Sequence, residues 1–146
     1  MTREQIVTEA LQWLNVRWQH QASLKGVACD CIGLVRGVYA EITGFTITDI
    51  IDYPQTAFYY CRDEKLYPEL QKYLVEIPVS DARPGDILTF ALKETFPDHH
   101  LGILVNDGFF VHACGDIGVK KVVQTRLDDR WRGNIRHAFK FPEVID

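Results

Sequence analysis

Apolar positions near the start of the chain recur at three- and four-residue spacing. Ile6, Val7, Ala10, Leu11, Leu14 and Trp18 follow one another this way, which predicts an amphipathic helix. Thr2 is placed to cap it, with Gln5 completing a capping box. A polar stretch from Gln19 to Lys25, closed by Gly26, separates this helix from a second one. The second is predicted to begin near Asp30, bury Leu34, Val35, Val38, Tyr39 and Ile42, and stop at Gly44. The aromatics Tyr53, Phe58, Tyr59 and Tyr60 suggest a packed but irregular connection. A short helix is expected over 66–77, with Leu66, Leu70, Tyr73 and Leu74 on one side and Pro68 in the first turn.

Beyond Pro78 the pattern shortens to that of strands. The turn Ala82-Arg83-Pro84-Gly85-Asp86 leads into a strand over 87–92, followed by strands over 100–105, 109–113, 119–125 and 135–141. Helices first and an antiparallel meander afterwards predict an α+β fold with about five strands. At 146 residues the chain is expected to be one domain, 1–146. There is no internal repeat.

Composition narrows the function. The net charge is -4 and the basic residues are scattered, which argues against a nucleic-acid partner. No apolar run approaches the roughly 18 residues of a membrane span. The first residues lead into an amphipathic stretch rather than an apolar signal core, so synthesis in the cytoplasm is expected. Cys29, Cys31, Cys61 and Cys114 are expected to be reduced, because a chain of this size needs no disulfide framework.

The segment Cys29-Asp30-Cys31-Ile32-Gly33-Leu34-Val35 puts a cysteine at a helix start. Unpaired N–H groups and the positive end of the helix dipole would favour a thiolate there and could hold an oxyanion. Gly33 would let a substrate or a neighbouring backbone approach closely. The plain alternative is a buried cysteine that acts as a small hydrophobe.

A nucleophilic thiol needs a base, and the base needs an orienting partner. Of the histidines His20, His99, His100, His112 and His137, the strand geometry selects two. Asn106-Asp107-Gly108 suits a three-residue hairpin loop with Gly108 in the left-handed position. That register sets Val105 opposite Phe109 and Gly102 opposite His112. His100 and His112 then become diagonal neighbours on one face, roughly 7–8 Å apart at the backbone, with Gly102 leaving room between them. A two-residue loop would instead set Ile103 opposite His112 and turn His100 away. Two unrelated histidines on an ordinary hairpin remain the alternative. His99 falls on the other face, as a solvent-facing or structural residue, and His137 is expected at the surface.

In order, Asp30-Cys31-x-Gly33-Leu34-Val35, Arg83-Pro84-Gly85-Asp86-Ile87, His100-x-Gly102-Ile103 and Val111-His112-Ala113 resemble the NlpC-type cell-wall peptidases. The resemblance runs from Trp18 to about Thr125. Trp18-Gln19-His20-Gln21-Ala22-Ser23, leading into Lys25-Gly26, is similar to the subgroup found in phage tails and gene-transfer particles. The resemblance implies a papain-like fold, a nucleophile-bearing helix packed on an antiparallel sheet. It implies Cys31 as nucleophile, His100 as base and His112 as the residue that orients it, with no metal and no cofactor. It points to Asp30 as a holder of the amino end of a stem peptide, with Trp18, His20 and Gly102 lining the substrate site. The expected substrate is a peptidoglycan stem peptide, cut at D-glutamyl or diamino-acid bonds, and the expected partners are phage-like tail proteins that deliver the chain to the wall.

The sequence departs from the family pattern at Ile32, where Ser is common, and at Trp18, where Tyr is common. An indole N–H donates one hydrogen bond and accepts none. His20 has a plain alternative too, as a loop histidine without a role. Three rival functions stay open. The same Cys–His pair could run an amidase, deamidase or transpeptidase reaction. The chain could be an idle structural tail component. Cys29, Cys31 and His20 could instead form a zinc-binding module.

Overall fold

The computed structural model describes residues 1–49 and 65–145. Tyr53, Phe58, Tyr59, Tyr60 and Cys61 lie outside the described residues.

Helix α1 (Arg3–Leu11) opens on the expected capping box: the Thr2 hydroxyl accepts the Gln5 N–H and the Gln5 side chain accepts the Thr2 N–H. It buries Ile6 and Ala10, but it ends at Leu11 rather than running on to Trp18. Asn15 takes a left-handed conformation (φ 71°), which no helix continues. The Asn15 N–H donates to the Val122 carbonyl and Val122 donates back to Val16, so the chain is drawn onto a sheet edge as β1 (Arg17–Trp18). The polar stretch that follows holds β2 (Ser23–Leu24) and β3 (Ala28–Cys29). Helix α2 (Cys31–Thr43) starts with Asp30 as its cap and ends at Gly44 in the left-handed region (φ 76°).

Helix α3 (Leu66–Tyr73) carries Pro68 in its first turn and is shorter than the 66–77 expected. Leu74 is extended, and β4 (Val75–Ile77) pairs antiparallel with β9 (Ile135–Lys140). Val75 and Ile77 are β-branched and Pro78 follows, so strand pairing wins over helix propensity here.

The remaining strands are β5 (Ile87–Phe90), β6 (His100–Asn106), β7 (Phe109–Cys114) and β8 (Lys121–Arg126). The short helix α4 (Asp129–Gly133) precedes β9. The nine strands of the described residues form one sheet in the order β2-β3-β1-β8-β7-β6-β5-β9-β4. The five expected strands are its centre, and four short ones extend its edges. The fold is α+β and papain-like.

Both faces of the central strands are covered, which is why β5 and β6 read as nearly continuous apolar runs. On one face α1 and α2 pack Ile6, Ala10, Leu34 and Val38 against Ile87, Leu101, Ile103 and Phe139. On the other, Leu88, Phe90, Leu104, Phe110 and Leu127 form a second cluster with Trp131 against it. The Arg83-Pro84-Gly85-Asp86 turn ties the layers together. Fully buried Asp86 accepts the Arg83 N–H at 2.8 Å and pairs with Arg3 of α1 at 2.5 Å.

Candidate active site

The Cys31 end of the site is built almost entirely from backbone. Asp30 is buried; one carboxylate oxygen accepts the Gly33 N–H and the other accepts the Gln21 N–H, each at 2.7 Å. The Asp30 N–H donates to the Ala22 carbonyl, and the Ser23 hydroxyl donates to the Gly33 carbonyl at 2.7 Å. The 19–23 loop is thereby clamped onto the first turn of α2. Gly33 is the residue that allows it, since a Cβ there would lie 1.8 Å from the Ala22 oxygen. Its close neighbour is this backbone.

Cys31 is 7% exposed, and backbone hydrogen bonds from Ile32 and Leu101 favour its charged form. Burial, and then the adjacent Asp30 carboxylate, outweigh them and push the thiol well above its ordinary pKa. Burial and the anionic cap thus both oppose the thiolate that the helix start was expected to favour.

The histidine end is built from side chains. The hairpin tip differs from the three-residue loop expected: Asn106 pairs with Phe109 and Gly108 is not in the left-handed region. The Asn106 side chain accepts the Gly108 N–H across this two-residue turn. A register shift between Leu104 and Asn106 then restores the alignment, with Leu104 opposite Phe110 and Ile103 opposite Val111. Gly102 consequently falls opposite His112, as in the three-residue reading, although Val105 does not face Phe109. A Cβ on Gly102 would lie 2.8 Å from the Phe110 ring and 3.0 Å from the His112 Cβ, so the position has to stay bare.

His100 Nε2 and His112 Nδ1 are 2.7 Å apart, and His112 Nε2 lies 2.7 Å from Thr125 Oγ1. Phe110 stacks on His112 with ring centroids 4.5 Å apart, and Trp131 meets the same ring edge-on at 5.4 Å. Burial is the first cause that lowers both imidazoles, His100 to about 4 and His112 to about 2. At neutral pH both rings are uncharged. The bond to His112 uses Nε2 of His100 and does not engage its Nδ1. His100 and His112 share a face with Leu104 and Phe110, while Cys31 arrives from the α2 side. The backbone of Leu101, the residue after His100, bonds the sulfur where β6 begins. A cavity of about 210 Å³ opens beside the histidines, lined by Leu92, His100, His112, Cys114, Arg130 and Trp131 among others.

Trp18 lies in β1, paired with Cys29 of β3. Its indole packs on Gly115 and lies under the Lys120 ammonium, 4.4 Å from the ring centroid. His20 is half-buried in the turn after β1. Cys29 is fully buried, and its thiol is raised to about 12 by burial and then by Asp30. Among the described residues, no three His, Cys, Asp or Glu side chains converge as metal ligands, so Cys29, Cys31 and His20 are not brought together as a zinc set.

Of the two remaining strand histidines, His99 takes one of its expected roles and His137 departs from expectation. His99 is buried, and its Nε2 accepts the Leu92 N–H at 2.8 Å, so it is structural rather than solvent-facing. His137 is not a free surface group: its Nδ1 is 2.6 Å from buried Asp98, and its ring stacks on Tyr67 at 3.9 Å. Thr125 and Trp131 went unnoticed in the sequence. Thr125 sits two residues along β8 from Val123, the partner of His112, so the diagonal rule that pairs the histidines also reaches it. Applying that rule requires the β7–β8 register, which the 115–120 connection does not reveal.

A cysteine opening a buried helix, packed on an antiparallel sheet whose strands carry a hydrogen-bonded histidine pair, places the molecule in the papain-like class. Residues 15–136 match the model of the NlpC/P60 family, and the chain belongs to that family. Solved structures agree on the fold. The NlpC/p60 domain of the peptidoglycan hydrolase SagA superposes with a TM-score of 0.66 at 19% identity, over 97% of this chain and 100% of that one. A lipoprotein-like NLP/P60 protein of Staphylococcus aureus gives 0.64 at 17%, over 99% of this chain but only 42% of its own length. RipD of Mycobacterium tuberculosis, described as a non-catalytic NlpC/p60 protein adapted to peptidoglycan binding, gives 0.59 at 12%, over 96% of both chains. Comparison with curated proteins gave no match.

Proposed function

We propose that the protein is a cysteine peptidase that hydrolyses peptide bonds in peptidoglycan stem peptides, of the D-glutamyl/diamino-acid type. The observation that carries this reading is the 2.7 Å contact of His100 Nε2 with His112 Nδ1, which leaves His100 Nδ1 for the thiol. Because burial disfavours charge on both thiol and imidazole, the proton moves during the reaction. His100 takes it from Cys31 as the sulfur bonds to the scissile carbonyl carbon, and the Cys31 N–H holds the oxyanion. The C–N bond breaks as His100 passes that proton to the leaving amine. Water then attacks the thioester, giving a proton to His100, and the thiol is regenerated with release of the acid.

In this reading Asp30, Trp18, His20 and Gly102 shape the substrate side. Asp30 does so while serving as the helix cap. The resemblance over Trp18 to Ser23 supports delivery to the wall by a phage-like tail. The test is a panel of stem peptides, amidated peptides and sugar-linked peptides, scored by mass spectrometry with wild type and Cys31→Ala. Cleavage at a peptide bond by wild type alone supports the proposal. Cleavage confined to side-chain amides moves the chain to the amidase class.

A second reading, a wall-binding component without catalysis, is favoured by one observation: the thiol is buried beside a carboxylate that disfavours its charge. That reading predicts binding to peptidoglycan with no turnover of any panel member.

A further inference from the structure

We propose that Thr125 is a positioning residue whose hydroxyl oxygen decides whether Nδ1 of His100 is free to act as base. The inference rests on the peptidase reading for its meaning, but its geometry stands apart from it. Three groups lie in a line: His100 Nε2 is 2.7 Å from His112 Nδ1, and His112 Nε2 is 2.7 Å from Thr125 Oγ1.

Each neutral imidazole carries a single N–H, and only one proton fits between the two rings. The chain of bonds can therefore run in two directions. In the first, His100 donates from Nε2 to His112 Nδ1, His112 donates from Nε2 to Thr125, and His100 Nδ1 is bare. In the second, Thr125 donates to His112 Nε2, His112 donates from Nδ1 to His100 Nε2, and His100 presents an N–H at Nδ1. Only the first direction leaves a base. Only the first also survives proton transfer, because an imidazolium at His100 donates from both nitrogens. The reaction requires Thr125 to accept.

Thr125 is suited to this. It is half-buried, so its own hydroxyl proton can turn toward solvent while its oxygen faces the imidazole. His112 is 3% exposed and walled by Phe110 and Trp131, and among the described residues the partner of its Nε2 is Thr125. Removing the oxygen leaves a buried N–H without an acceptor in the first direction and only a bare nitrogen in the second. A buried donor without a partner is the worse tolerated of the two. Loss of the hydroxyl therefore tips the pair toward the direction in which His100 is no base.

The experiment compares wild type, Thr125→Val and Thr125→Ser. Valine keeps the shape and strand preference, so the fold is retained. The first readout is the tautomer of His112, from nitrogen-15 and proton NMR of labelled protein at neutral pH. Wild type and Thr125→Ser should show the proton on Nε2, and Thr125→Val should shift it toward Nδ1. The second readout is stem-peptide hydrolysis, where Thr125→Val should lose roughly tenfold in kcat with little change in KM, and Thr125→Ser should restore it. An unchanged His112 tautomer in Thr125→Val overturns the proposal. A shifted tautomer in a protein that never hydrolyses stem peptides upholds the positioning role and removes the peptidase reading instead.

Discussion

The two halves of the candidate site are held in opposite ways. At the start of α2 a polar cage of backbone bonds clamps the 19–23 loop onto the helix, and the charge at its centre belongs to Asp30. Across the sheet, a line of neutral side chains runs from His100 through His112 to Thr125, between Phe110 and Trp131. The first half fixes Cys31 in place where burial and a carboxylate disfavour its charge. The second half keeps an imidazole pair uncharged. A helix start is usually credited with activating a cysteine; here burial and an anionic cap oppose that, and the proposed mechanism relies on the histidines instead.

Breaking the histidine half should produce the largest effect. His100→Ala is expected to lower turnover by roughly 10²- to 10⁴-fold with little change in the melting temperature, as measured by steady-state kinetics beside thermal unfolding. Breaking the other half should do the reverse. Asp30→Ala removes the cap to Gly33 and the tie to Gln21 together, for a loss of about 2–3 kcal/mol in urea unfolding. A stability unchanged by that substitution would mean the clamp contributes nothing. Asp30→Asn sharpens the comparison, because it keeps an acceptor for Gly33 while removing the charge. The rate of Cys31 alkylation near neutral pH should rise, measured against Cys31→Ser to subtract the other thiols. Gly102→Ala pushes a methyl against Phe110 and His112 and should cost about 1–3 kcal/mol, again read from urea unfolding.

A separate effect is a slope with pH. His100 is lowered from 6.5 to about 4 on folding, and His112 further. The unfolded chain therefore binds more protons as pH falls below 6.5. Stability from these groups is fully present above that value and declines as pH drops toward 4 and below. Unfolding midpoints that stay level between pH 7 and 4 would show that the rings are not held neutral.

Much of this was legible in the sequence, and the failures have physical causes. The capping box at Thr2, the helix start near Asp30 and the stop at Gly44 are local chemistry and stand as expected. The diagonal contact of His100 with His112 was reached from period-two geometry, even though the turn that delivers it was misjudged. The bulge near Val105 offset the error. What was missed depends on long-range pairing. The 66–77 helix is cut short by a strand partner from the other end of the chain, and Thr125 enters only through the β8 register. The opposition to a Cys31 thiolate was not foreseen because a helix start was weighed without the burial and the carboxylate that surround it.

The measurement that bears most directly on the account is the rate of stem-peptide hydrolysis against pH, by wild type and by Cys31→Ala. The proposed mechanism requires activity in wild type that rises as His100 loses its proton near pH 4, holds through neutrality, and is absent from Cys31→Ala at every pH. Hydrolysis that persists in Cys31→Ala, or none by the wild-type protein at any pH, would contradict it.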